Sequence, residues 1–117
     1  MGKIEMIPQR QLYPISQRLL QALDDLANAF RKEGVQFYIF GSLAQTYPRS
    51  YRGADLDLAF KIEGGSPLAK EQVRRIQKHV ENLPTVRPVD LVDFNRMGDK
   101  FRQTASSCMV SLPVNHE

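Results

Sequence analysis

Apolar residues recur at helical spacing in two stretches and crowd into short runs in three others. Ile15, Leu19, Ala22, Leu23, Leu26, Ala27 and Phe30 follow a 3.6-residue period, which predicts a helix with one core-facing stripe. Pro14 suits its first turn, while Arg31, Lys32 and Gly34 mark its end. A second stripe of Ala69, Val73, Ile76, Val80 and Leu83 predicts another helix, with Ser66 as cap and Pro67 at its first position. Glu71, Arg74, Arg75, Lys78 and Glu81 form its wet face, and His79 beside the stripe reads as a solvated helix histidine. Residues 35–40, VQFYIF, are almost continuously apolar and read as a central strand. Residues 55–61 alternate as a second strand, residues 89–94 read as a third, and a short helix is expected around residues 99–108. The order α, β, β, α, β, α gives an α+β fold, a small mixed β-sheet with helices packed on it.

A chain of 117 residues suits one compact domain. The expected division is an N-terminal arm over residues 1–13, one domain over 14–110 and a C-terminal tail over 111–117. A net charge of +3 suits a phosphate-bearing ligand. The basic residues are scattered rather than striped, so nucleic acid is not expected as a direct sequence-specific partner. Cys108 is the lone cysteine, which excludes an internal disulfide and a cysteine-based zinc site. The opening MGKIEMIPQR lacks the apolar core of a signal peptide, and no apolar run approaches the roughly 18 residues of a membrane span. The expectation is a cytoplasmic protein with no membrane partner.

The chemistry concentrates in residues 41–60, GSLAQTYPRSYRGADLDLAF. Strand side chains alternate faces, so Asp55 and Asp57 point one way and Leu56 and Leu58 the other. At about 3.3 Å per residue the two aspartate Cα atoms lie roughly 6.6 Å apart, near enough to converge on one or two cations. Without a cation, like charges at 4 Å repel by about 4 kcal/mol at an effective dielectric of 20. A half-buried strand with a wet face also reads DLDL. A Gly-Ser followed by Asp-x-Asp at this spacing, however, arises by chance in roughly one such chain in a hundred, which favours the metal reading. Gly41 allows close backbone approach, and the backbone N–H groups of a short helix opening at Ser42 favour a phosphate. Arg49 and Arg52 are either cationic contacts to that phosphate or solvated loop residues, and Tyr47 and Tyr51 have rings of the kind that stack on a base. Of the two aspartates in VDLVDF, Asp90 and Asp93 lie on opposite faces and only one can join the first pair. Asp90, inside the strand between Val89 and Leu91, is favoured over Asp93 at its end.

This pattern resembles the nucleotidyltransferase superfamily that includes DNA polymerase beta, and more closely its smallest members, the minimal nucleotidyltransferases or MNT proteins. The shared features are FGS at residues 40–42, DLDL at 55–58 and the later VDLVDF at 89–94. Proteins of this group often carry arginines shortly after Gly-Ser, where this chain has Leu43 and Gln45, and the loop to Asp-x-Asp is slightly longer than usual. The resemblance implies a polymerase beta-like fold and two Mg²⁺ ions held by Asp55, Asp57 and Asp90. It also implies that Gly41 and Ser42, supplemented by Arg49 and Arg52, hold the phosphates of ATP or another nucleoside triphosphate. The implied reaction is transfer of AMP to a partner protein or small molecule. The implied partner is a helical HEPN-type toxin neutralised by an MNT antitoxin, with self-association as another way to complete the site.

Overall fold

The computed structural model describes residues 11–62, 64, 68–106 and 108–114. Expectations for residues 1–10, the cap and proline at 66 and 67, and His116 lie outside those residues. The first element is a three-residue strand, β1 (Leu12–Pro14), and the first helix, α1 (Gln17–Phe30), follows it. The helix thus starts later than Pro14 suggests. Pro14 pairs instead with Arg49 of a second short strand, β3 (Arg49–Tyr51), and the Ser16 hydroxyl accepts the Leu19 N–H at 3.2 Å as the true cap. After α1 a 3-10 turn carries Arg31 to Glu33, and Gly34 at φ +78° releases the chain into β2 (Val35–Phe40).

β2 pairs antiparallel with β4 (Leu56–Ile62), and β4 pairs parallel with β5 (Val89–Asp93). The helix α2 (Lys70–Glu81) makes the crossover between those parallel strands, as a parallel pair requires. Beyond β5 come a 3-10 turn, the helix α3 (Asp99–Ser106) and a last strand, β6 (Val110–Leu112), which pairs antiparallel with β2. The main sheet therefore runs β5-β4-β2-β6, while β1 and β3 form a separate ribbon. The three central strands and three helices are those expected. The strands β1, β3 and β6 are additions, and the expected boundaries at residues 13/14 and 110/111 each fall inside one of them.

One face of the sheet carries the core. Val35, Phe37 and Ile39 of β2 and Leu56, Leu58 and Phe60 of β4 are buried against Leu19, Leu23, Leu26 and Phe30 of α1 and Ile76 of α2. Phe30, Phe37 and Phe60 form a chain of tilted rings with centroids 6.0 and 6.2 Å apart. The edge of His79 meets Phe30 at 5.1 Å, which matches its expected place beside the stripe. The opposite face holds a smaller cluster of Ala59 and Phe94 with Phe40, Val92 and Met109. Among the described residues, no helix is long and apolar enough to cross a membrane.

Candidate active site

Alternation along β4 sets the site. Leu56 and Leu58 are buried in the core, so Asp57 emerges on the opposite face, half-buried, with exposed Asp55 just before the strand. The parallel register sets Asp90 of β5 directly beside Asp57, as Leu91 lies beside Leu58 and Asp93 beside Phe60. The Asp57 carboxyl is held above the ordinary carboxylate range. Burial is the largest cause, followed by the charges of Asp90 and Asp55 and a hydrogen bond with the Asp90 carboxyl. Two carboxylates side by side repel when both are charged, and a cation between them would relieve that repulsion.

Asp55 acts on this pair through its charge. Among the described residues, no three histidine, cysteine or acidic side chains are gathered tightly enough to make a finished metal cage. The donor set is two carboxylates side by side with a third close by, all oxygen. That chemistry fits Mg²⁺, which binds one or two carboxylates and fills its remaining positions with water and phosphate oxygens. Asp93 lies on the α2 face, where its carboxylate accepts the Asn95 N–H at 3.0 Å and the Arg96 Nε–H at 3.1 Å. It caps a turn and does not reach the acid pair.

The Gly-Ser turn meets the same pair. Phe40, the last residue of β2, is the cross-strand partner of Asp57, and Gly41 follows at φ +75°. A Cβ at Gly41 would sit 2.5 Å from Oδ2 of Asp57, so only glycine permits both the backbone conformation and the approach. Residues Gly41–Gln45 form a 3-10 turn that plugs Leu43 and Ala44 into the core and leaves Ser42 and Gln45 exposed. Leu43 is thus a core anchor, and its position offers no route for a cation toward the acids.

Arg49 and Arg52 belong to the loop between the Gly-Ser turn and Asp55. Both are exposed on and beside β3, and the Arg52 guanidinium lies over the Tyr13 ring at 5.2 Å. Tyr47 packs against the main core, where burial and then the charge of Asp24 push its hydroxyl up to about 12. Arg87 was not singled out from sequence, yet it is built into the loop that delivers Asp55. Its guanidinium donates to the Ala54 carbonyl at 2.8 Å and to Oγ of buried Ser50 at 2.7 Å, while Leu56 N–H donates to the Pro88 carbonyl at 2.9 Å. An arginine between two prolines has no period or motif to mark it; only the fold reveals its partners.

No protein-family model matches the chain, and no curated protein matches its sequence significantly. Solved structures do match. One, of a toxin-antitoxin with AMP-PNP, shares 22% identity at a TM-score of 0.56, over 83% of this chain and 74% of that one. Two others are mutants of the toxin-antitoxin MntA-HpeT, each at a TM-score of 0.54 over 79% of this chain and 72% of the other. One of these, 21% identical, carries a tyrosine-to-alanine change. The other, 20% identical, has two aspartates two positions apart changed to glutamate. The chain therefore shares its fold with these toxin-antitoxin structures, an α+β arrangement of a mixed sheet with helices packed on it, as the sequence led us to expect.

Proposed function

We propose that this chain is a nucleotidyltransferase of the MNT antitoxin kind, which transfers AMP from ATP to a partner protein. The observation that carries this reading is the register that sets Asp57 beside Asp90, closed on one side by a Gly-Ser turn that only Gly41 allows. The solved neighbours support it: one toxin-antitoxin was solved with AMP-PNP, and another was altered at an Asp-x-Asp pair.

Asp57 and Asp90, with Asp55 beside them, are the residues that would hold Mg²⁺. When bound, it offsets the carboxylate charge and that of the triphosphate. Ser42 and the exposed backbone of the turn hold the outer phosphates. Asp90, the more exposed of the pair, accepts the proton of the acceptor hydroxyl at its carboxylate oxygen. The hydroxyl oxygen bonds to the α-phosphorus in line, and the bond to the bridging oxygen breaks as pyrophosphate leaves. Arg87 keeps the loop before Asp55 in place.

A binding-only subunit is the second reading, favoured by one observation. The turn after Gly-Ser carries buried Leu43 and exposed Gln45 rather than cations. Incubation with α-³²P-labelled ATP and Mg²⁺, with and without the product of the adjacent gene, separates the two. Label on the partner that disappears with Asp57→Asn is the expected result. Tight partner binding with no label would overturn transfer and leave the binding subunit.

A further inference from the structure

On the acid-bearing face, the row nearest the Gly-Ser turn runs Asp90, Asp57, Phe40 across β5, β4 and β2. At a strand spacing of about 4.8 Å, the three Cα atoms span roughly 10 Å. The helix α3 lies at the β2 end of that row. Its Phe101 meets Phe40 edge to face, with ring centroids 5.8 Å apart and planes at 76°. Phe101 is also one of three large apolar side chains left exposed among the described residues, at 37%. It stands beside the cluster of Ala59, Phe94, Val92 and Met109 without being buried in it. An edge-to-face contact engages at most one face of a ring, so a flat surface of Phe101 remains open to a ligand.

We propose that Phe101 is the stacking platform for the base of the nucleoside triphosphate, with Phe40 as its brace. This rests on the nucleotidyltransferase reading and names a subsite within it. The chemistry selects the occupant. Phosphates belong at the acids and the Gly-Ser turn, at one end of the row. The base is joined to them through ribose, a spacer suited to crossing Phe40. An aromatic platform accepts any base by its π-face, and the larger rings of a purine gain the most from it.

The chain contains no tryptophan, so Phe101→Trp introduces a single fluorophore at the proposed platform. ATP is expected to quench it, whereas inorganic tripolyphosphate should bind without quenching. In calorimetry, Phe101→Ala should weaken ATP about tenfold or more while leaving tripolyphosphate affinity unchanged. Phe101→Leu, which keeps apolar bulk but loses the flat face, should behave as the alanine variant does. If ATP binds Phe101→Trp without quenching and binds the alanine variant as tightly as the wild type, the platform is overturned while nucleotide binding stands; the exposed ring then faces a protein partner. If the wild type binds neither ATP nor tripolyphosphate, the nucleotidyltransferase reading falls and the platform with it.

Discussion

Gly41 sits at φ +75° with the Asp57 carboxylate where its side chain would be, so one added methyl tests both constraints. Gly41→Ala should destabilise the fold by about 1–2 kcal/mol through the left-handed backbone alone. It should also remove nucleotidyl transfer, because the methyl displaces Asp57; thermal melts and the labelling assay read the two effects separately. Asp57 gives a pH prediction. Its folded pKa is raised, so its ionisation opposes folding above the folded value, and that penalty is absent below the unfolded value. In Mg²⁺-free buffer, Asp57→Asn should therefore melt higher than the wild type at neutral pH. The gain should be no more than about 1 kcal/mol, since solvent screens the pair, and should vanish as the pH falls through the carboxylate range. Tyr47 offers a spectroscopic check: one tyrosine should titrate at about 12, and Asp24→Asn should lower that value. At this scale the sequence showed that Asp90 and Asp93 lie on opposite faces, because strand alternation is local. It did not show that Gly41 must be glycine on Asp57's account, since that depends on a pairing across the sheet.

The elements legible in advance were the helices α1, α2 and α3 and the strands β2, β4 and β5. The ones missed, β1, β3 and β6, are three residues each and become strands only because a partner pairs with them. Pro14 read as a helix start because proline suits a first turn; pairing of β1 with β3 overrode that local preference. The link before β5 is where an unanticipated side chain matters most. Arg87→Met should cost about 1.5–3 kcal/mol by leaving the Ala54 carbonyl and the Ser50 hydroxyl without their donor. It should also lower kcat more than nucleotide affinity, because it loosens the loop behind Asp55 rather than the phosphate turn. Equal losses in both would argue against that division of labour.

Taken whole, the molecule has its acids at one end of a four-stranded sheet whose two outer strands, β5 and β6, arrive late in the chain. β5 brings Asp90 to the site, and β6 guards the strand that leads into Gly41. A buried carboxylate helps to fasten the second of these: Asp24 of α1 accepts the Val114 N–H at 3.1 Å. Asp24→Ala should raise hydrogen exchange across residues 110–114 by an amount equivalent to about 1.5–3 kcal/mol, with β4 and β5 still protected. Overall architecture was readable from the alternation of helical and strand patterns, but strand order was not, because β6 reaches β2 across the whole of residues 41–109.

That order has a consequence for a chain still on the ribosome. β2 and β4 can pair as soon as residue 62 is free, yet β2 keeps a bare hydrogen-bonding edge until residues 110–112 have been made. For much of its synthesis the nascent protein thus offers an open strand beside Phe40 and Gly41. The hazard of mispairing belongs to translation, and a polysome, where many such edges are held close together, is where it is greatest.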